Sequence, residues 1–287
     1  MKIVLCPNPY RDRGMKAVQS ADRILKRAGA QTVLCLPFQV EGGGLELPRY
    51  LKFEDTHEEL KTADFLICFG GDGTILHAAK DANACNVPIL GVNLGSLGFM
   101  AELEVSELSQ LSRLAEGDYT IEMRMMMDVR VYRDGRAVFS DIALNDAALT
   151  KGAAARMVEL EVYGDQTLIS RFSSDGVVVC TPTGSTAYSM SAGGPIVEPT
   201  AENMIVTPIC PHALFARSIV LGGERQVAVK MGRMARRTAY LSVDGGKAFR
   251  LSGGDTVELR RSAAKTRLVR LSSRTFYEIL SHKLGGV

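Results

Sequence analysis

The chain has 287 residues, 46% hydrophobic and 23% charged, with 34 basic and 32 acidic side chains giving a formal net charge of +2. That length can bury the cores of one large or two ordinary domains, and the charge balance makes no electrostatic case for nucleic acid or an anionic membrane surface. No apolar stretch approaches the roughly 20 residues that cross a bilayer, and the first apolar run is cut off by Pro7 before it could serve as a signal peptide.

Residues 3–6 form a short apolar run, followed by the breakers Pro7-Asn8-Pro9-Tyr10 and a helical stretch to about Ala28 that Gly29 closes. Residues 31–36 read as a second strand. Phe65-Leu66-Ile67-Cys68-Phe69 is apolar on both faces, as a central parallel strand should be, and Pro88-Ile89-Leu90-Gly91-Val92 repeats the pattern after a helix. Ser106 is placed to cap a helix carrying Leu108, Leu111 and Leu114, with Gly117 at its end. This βαβ alternation predicts a doubly wound α/β domain.

After Gly117 the apolar period changes from 3.6 to 2. Met157-Val158-Glu159-Leu160-Glu161-Val162-Tyr163 alternates like a half-buried strand, and Asp134-Gly135, Gly164-Asp165, Asp244-Gly245 and Gly253-Gly254-Asp255 supply hairpin turns. Phe276, Ile279, Leu280 and Leu284 return to helical spacing. The expected organisation is therefore an α/β domain from residues 1–117 and 265–287, around a mostly β, sandwich-like domain at 118–264. The C-terminal helix should return to the first domain. The densest basic cluster, Arg260, Arg261, Lys265, Arg267 and Arg270, reads as the exposed face of strands. Six cysteines without a CxxC pair read as free thiols, several of them buried, which points to a reducing cytoplasm.

The chemistry concentrates where the strand 65–69 runs into Gly70-Gly71-Asp72-Gly73-Thr74 and then a helix. Glycines let backbone N–H groups approach a phosphate, and the positive helix end favours the anion. Asp72 is the odd member, since a carboxylate beside a polyanion is repelled unless a divalent cation intervenes or it must take a proton. That argues for phosphoryl transfer to a hydroxyl. The competing reading is that Asp72 or Thr74 simply caps the helix. No GxxxxGK[ST] is present, so this is not a P-loop kinase. Asn145 offers both a donor and acceptors, Asp146 can accept from adjacent ribose hydroxyls, and Tyr188 can stack on a base. An ordinary turn at Asn145-Asp146 is the alternative.

The glycine-rich segment resembles the signature of a kinase superfamily that includes NAD kinases, diacylglycerol and sphingosine kinases, and 6-phosphofructokinases. Later segments are similar to the NAD kinases in particular: Gly91-Val92-Asn93-Leu94-Gly95-Ser96-Leu97-Gly98-Phe99, Ala143-Leu144-Asn145-Asp146, the long stretch 175–189 around Thr181-Pro182-Thr183-Gly184-Ser185-Thr186-Ala187-Tyr188, and Pro208-Ile209-Cys210-Pro211-His212. The resemblance implies transfer of the ATP γ-phosphate to the ribose 2′-hydroxyl of NAD, with Asp72 as general base and a divalent cation, Mg²⁺, on the phosphates. It implies that Gly73, His77, Phe99, Asn145, Asp146, Arg156, Asp175, Thr186, Ala187, Tyr188 and Ser191 line the dinucleotide site, Asp175 facing the nicotinamide end. It further implies a homo-oligomer, dimer or tetramer, with no nucleic-acid or membrane partner. Asn8, Arg11, Gly70 and Gly71 are candidates for the ATP phosphates, with Arg13 nearby. Three positions depart from the family pattern: Asp146 stands for the commoner Glu, Ser173 for a basic residue, and Gly246 for a Gln that Lys247 could replace. A lipid kinase and a non-catalytic dinucleotide sensor remain alternatives; an apolar entrance would favour the first and loss of Asp72 the second, and the sequence has neither.

Overall fold

The computed structural model describes residues 1–37, 51–95, 98–152, 156–213, 216–232 and 238–285, and the chain divides into two compact units. Unit 1 comprises Met1–Met123 with Thr266–Val287, and unit 2 is Arg124–Lys265. In chain order unit 1 begins with β1 (Lys2–Pro7), α1 (Lys16–Arg27), β2 (Gln31–Leu34), α2 (Thr56–Leu60), β3 (Phe65–Gly70), α3 (Asp72–Ala84), β4 (Ile89–Asn93) and β5 (Leu103–Glu104). A 3₁₀ segment (Val105–Ser112) and the short α4 (Arg113–Glu116) follow. β6 (Thr120–Arg133) leads into unit 2, which holds β7 (Arg136–Ala143), β8 (Asp146–Lys151), β9 (Val158–Gly164), β10 (Thr167–Ser174), β11 (Gly176–Cys180) and α5 (Tyr188–Ser191). It continues through β12 (Asn203–Ile209), β13 (Ile219–Gly222), β14 (Gln226–Met231), β15 (Ala239–Val243), β16 (Phe249–Leu251) and most of β17 (Thr256–Arg270), whose last residues belong to unit 1 with α6 (Phe276–Lys283).

In unit 1, β2, β1, β3 and β4 lie side by side in parallel, and the end of β17 joins β4 through Leu268 opposite Ile89. Every residue of β3 and β4 is buried, because helices cover both faces of the sheet. On one face Val18, Ala21 and Leu25 of α1 pack with Leu108, Leu111 and Leu114 against alternate residues of β1, β3 and β4. Two local expectations need correction here. The 3₁₀ segment starts from Glu104, whose backbone N–H donates to Glu107 Oε2 at 2.8 Å, so Ser106 is not the cap. Helix α1 is held at its start by Asp12, whose carboxylate accepts from Ala17 and Val18 N–H, both at 3.0 Å. The C-terminal helix packs within unit 1, with Phe276 6.2 Å from the Phe99 ring and Ile279 buried, while Leu284 is exposed rather than on the packed face.

Unit 2 has two antiparallel sheets around one core. One sheet runs β13-β12-β11-β8-β15-β16, and the other includes the ladder β10-β9-β14-β17 and the pair β6-β7. Alternate residues such as Val129, Leu149, Val162, Val179, Val206, Val229 and Leu241 point into that core, as period-2 strands require. The turn expected at Gly164-Asp165 sits one residue later. Gly164 pairs with Thr167 in the ladder, and Asp165 and Gln166 take the positive φ values. Arg270 also differs from its expected place on an exposed strand face: its side chain is only 15% exposed and paired.

Candidate active site

In unit 1 the phosphate-type loop lies at the C-terminal ends of β3 and β4, where open α/β sheets bind ligands. A side chain at Gly70 would come within 2.2 Å of Thr74 Oγ1, so that glycine exists for packing. At Gly71 and Gly73 an added Cβ would meet no protein atom within 4 Å. Packing therefore does not demand glycine at these two positions, whereas close approach of a ligand to the backbone would. Asn8 bridges to this loop: its N–H donates to Phe69 O at 2.8 Å and its Nδ2 to Thr74 Oγ1 at 3.2 Å. Arg11 is exposed beside the second glycine loop, with Nη1 3.8 Å from where a Cβ on Gly95 would stand. Arg13 is exposed on the same connection. Ser96 and Leu97 of that second loop lie outside the described residues.

Asp72 opens α3, but the N-cap is Gly71, and the Asp72 side chain does not bond its own helix start. Its carboxylate instead accepts from Phe99 N–H at 2.8 Å and Met100 N–H at 3.1 Å. Gly98 makes this approach possible, since a Cβ there would lie 2.0 Å from Asp72 Oδ1. Thr74 N–H bonds Gly71 O within the first turn. The capping alternative for Asp72 is thus replaced by a long-range tie that orients both carboxylate oxygens. His77, five residues on, is exposed on α3.

In unit 2 the chain turns from β7 to β8 through Leu144 and Asn145. Asp244, at the β15 turn, accepts from three successive N–H groups, of Leu144, Asn145 and Asp146, at 2.8–3.0 Å. Thr181 caps the opposite side, donating its hydroxyl to Leu144 O at 2.5 Å and its N–H to Asn145 O at 2.9 Å. Gly184 presses its backbone on Asn145 so closely that a Cβ would lie 2.1 Å from Asn145 O. Asn145-Asp146 is therefore a clamped corner rather than an ordinary turn. Within it Asn145 is 7% exposed, and its Oδ1 is buried without a hydrogen-bond partner. Such an orphan acceptor costs about 1–3 kcal/mol unless something supplies a donor. Asp146, 6% exposed, has its carboxyl pushed up to about 7, first by burial and then by the charge of Asp244.

The loop after β11 carries Thr186 and Ala187 into the short α5, which begins at Tyr188 and ends at Ser191. Tyr188 is 41% exposed. Its hydroxyl pKa is raised, chiefly by burial and then by the nearby charges of Asp146, Cys210 and Asp175. Those groups therefore share one neighbourhood. Asp175 forms an ion pair with Lys151 at 2.7 Å. Ser173 accepts from His212 N–H through its carbonyl at 2.8 Å, and the His212 side chain is exposed. Arg156 is exposed at the entry to β9, and the structure gives it no contact with this group. Sequence reasoning missed Asp244, Lys151 and the buried Arg124, whose Nη1 donates to Thr183 Oγ1 at 3.2 Å beneath the loop. The Asp-Gly turn at 244 was visible in the sequence, but not what its carboxylate would hold.

A model of the ATP-NAD kinase C-terminal domain matches residues 144–271, and one of the ATP-NAD kinase N-terminal domain matches residues 26–119. The NAD kinase of Symbiobacterium thermophilum is 43% identical over 271 residues, covering 94% of this chain and 95% of that protein. The chain belongs to the NAD kinase family. The NAD kinase of Acetivibrio thermocellus is 34% identical over 287 residues, covering 99% of this chain and 97% of its own length. Among solved structures, an NAD kinase from Archaeoglobus fulgidus in complex with ATP superposes with a TM-score of 0.76 at 25% identity over the whole of both chains. Yeast NADH kinase complexed with NADH gives a TM-score of 0.83 at 24% identity, covering 99% of this chain and 87% of that one, a likeness of fold. The family models fall on both stretches described above: the N-terminal one spans Asp72, and the C-terminal one begins at Leu144.

Proposed function

We propose that this NAD kinase family member transfers the γ-phosphate of ATP to the 2′-hydroxyl of the adenosine ribose of NAD, releasing ADP and NADP. The observation that carries the reading is Asp72, a carboxylate at the mouth of a glycine loop, oriented by two backbone N–H groups rather than spent on its own helix. In the reaction the 2′-oxygen attacks the γ-phosphorus in line, the bond to the ADP oxygen breaks, and the hydroxyl proton passes to an Asp72 oxygen. The backbone at Gly70, Gly71 and Gly73, with Asn8 and Arg11, serves the ATP phosphates. Asn145 hydrogen-bonds the adenine edge, and its orphan Oδ1 supports that role. Asp146 accepts from the ribose hydroxyls, and Tyr188 stacks on a base. Thr186, Ala187 and Ser191 line the same dinucleotide site, and Asp175 faces the nicotinamide end. Phe99, His77 and Arg156 complete the assignment.

A divalent cation fits this arrangement in one way. Among the described residues no three His, Cys, Asp or Glu side chains converge as a metal cage. Mg²⁺ is commonly bound through one or two carboxylates plus substrate phosphates, and Asp72 is the carboxylate placed for that. When bound, such a cation would neutralise charge on the transferring phosphate. We also assign the enzyme to the cytoplasm as a homo-oligomer. The free cysteines, four of them buried, suit a reducing compartment, and no helix among the described residues is long and apolar enough to cross a membrane.

Asp72→Asn tests the central assignment, because Asn keeps the size and loses the basic oxygen. Loss of general-base assistance should lower turnover by about 10²–10⁴-fold with NAD affinity nearly unchanged. A well-folded variant that turns over at the wild-type rate refutes it. NAD binding by the wild-type protein without any NADP formation would favour the sensor reading instead.

A further inference from the structure

Asp72 bonds Met100 through that residue's backbone N–H alone. Its Oδ1 accepts the Met100 N–H, and the Met100 carbonyl accepts from Arg270 Nη1 at 3.3 Å. The same Nη1 lies 3.1 Å from Glu102 Oε2, and Nη2 lies 2.8 Å from Glu122 Oε1. Glu102 is 4% exposed, and its other oxygen accepts the N–H groups of Leu271 at 2.8 Å and Ser272 at 2.6 Å. One guanidinium therefore ties the residue that orients Asp72 to two carboxylates, and the buried one, Glu102, is fastened to the backbone just beyond Arg270.

Resting on the reading of Asp72 given above, we propose that Arg270 is a positioning residue for phosphoryl transfer. Through Met100 it fixes the pair of N–H groups that aim the Asp72 carboxylate. The geometry explains why an arginine stands here. Glu102 already has two N–H donors, so a bare positive charge nearby would suffice to hold it. Reaching Met100 O, Glu102 and Glu122 together needs the rigid planar fork that lysine lacks. Arg270 touches no reacting atom, and its effect on rate is exerted through Asp72 alone.

The test compares Arg270→Lys, Asp72→Asn and the double variant, measuring kcat, KM for NAD and ATP, and the melting temperature. Arg270→Lys keeps the buried charge for Glu102 and loosens Met100. A misplacement on the order of 1 Å costs up to about 10²-fold in rate, so kcat should fall about 10–100-fold with both KM values within about twofold of wild type. On the Asp72→Asn background the same change should leave the residual rate unaltered, since no aimed carboxylate remains to be lost. Equal fold losses on both backgrounds, or a wild-type kcat in Arg270→Lys, overturn the proposal while Asp72 stands. If Asp72→Asn itself keeps full turnover, the Asp72 reading fails and takes this one with it. Should Arg270→Lys fold poorly, Glu122→Ala takes from Nη2 the carboxylate it bonds; it should lower kcat several-fold on the wild-type background and not on Asp72→Asn, and the opposite pattern counts equally against Arg270.

Discussion

Asp146 should make the protein less stable than it could be, and replacing it should reveal by how much. Its carboxyl is pushed from the ordinary 3.8 to about 7 by burial and by Asp244. Between these values the unfolded chain has lost this proton while the folded protein still holds it, so stability falls as pH rises through the window and levels off above about 7. A rise from 3.8 to about 7, at about 1.4 kcal/mol for each tenfold change in proton affinity, sets the full cost at about 4 kcal/mol. Asp146→Asn keeps the shape and abolishes the titration. Urea unfolding of both proteins should show the variant ahead by about 2 kcal/mol at pH 5, widening to about 4 kcal/mol at pH 8. A gap that stays constant with pH, or a variant that is less stable at pH 8, would refute the reasoning. The gain should come with a weaker grip on NAD, seen as a raised KM, because the amide offers one acceptor oxygen where the carboxylate offers two.

Gly98→Ala would place a methyl carbon 2.0 Å from Asp72 Oδ1, so either the loop or the carboxylate must move by about 1 Å, with kcat falling up to about 10²-fold. An unaltered kcat would mean the close approach is not needed for turnover. Tyr188→Ala removes a half-exposed ring from the proposed NAD site and should weaken NAD binding by about 1–3 kcal/mol, the scale of base stacking on an aromatic, without affecting ATP. An NAD dissociation constant equal to wild type, measured by calorimetry, would take Tyr188 out of the site.

What the sequence made legible was periodic or local. β3 and β4 were readable because both of their faces are buried, so no polar residue interrupts them. β9 was readable because only one face is buried, leaving Glu159 exposed between Val158 and Leu160. The glycine loop announced itself because three glycines within four residues stand together with a carboxylate where a buried strand runs into a helix. What stayed hidden depends on partners far apart in the chain. Nothing around Asp244 indicates that its carboxylate will hold three N–H groups about a hundred residues earlier, and Arg270 sits in a run of arginines indistinguishable from solvent-facing ones. Its partners Glu102 and Glu122 look equally ordinary in sequence. The misplaced cap at Ser106 has a simpler cause: a glutamate can start a 3₁₀ turn when Glu107 reaches back to its N–H, and residue-type preference points elsewhere.

Unit 1 is interrupted by the whole of unit 2, and this has a consequence for how the protein is made. When the ribosome has finished Met123, the parallel sheet still lacks the strand that flanks β4, and buried Glu102 still lacks both its cation and the two N–H groups that cap it. At about 5–20 residues per second, translating Arg124–Lys265 takes on the order of ten seconds. Unit 2, being continuous in sequence, has all its residues as soon as Lys265 is made, before unit 1 has its own. The loop that aims Asp72 is assembled only after Arg270 has emerged. A released chain truncated before that residue should therefore resist protease across unit 2 while residues 99–123 are still cleaved.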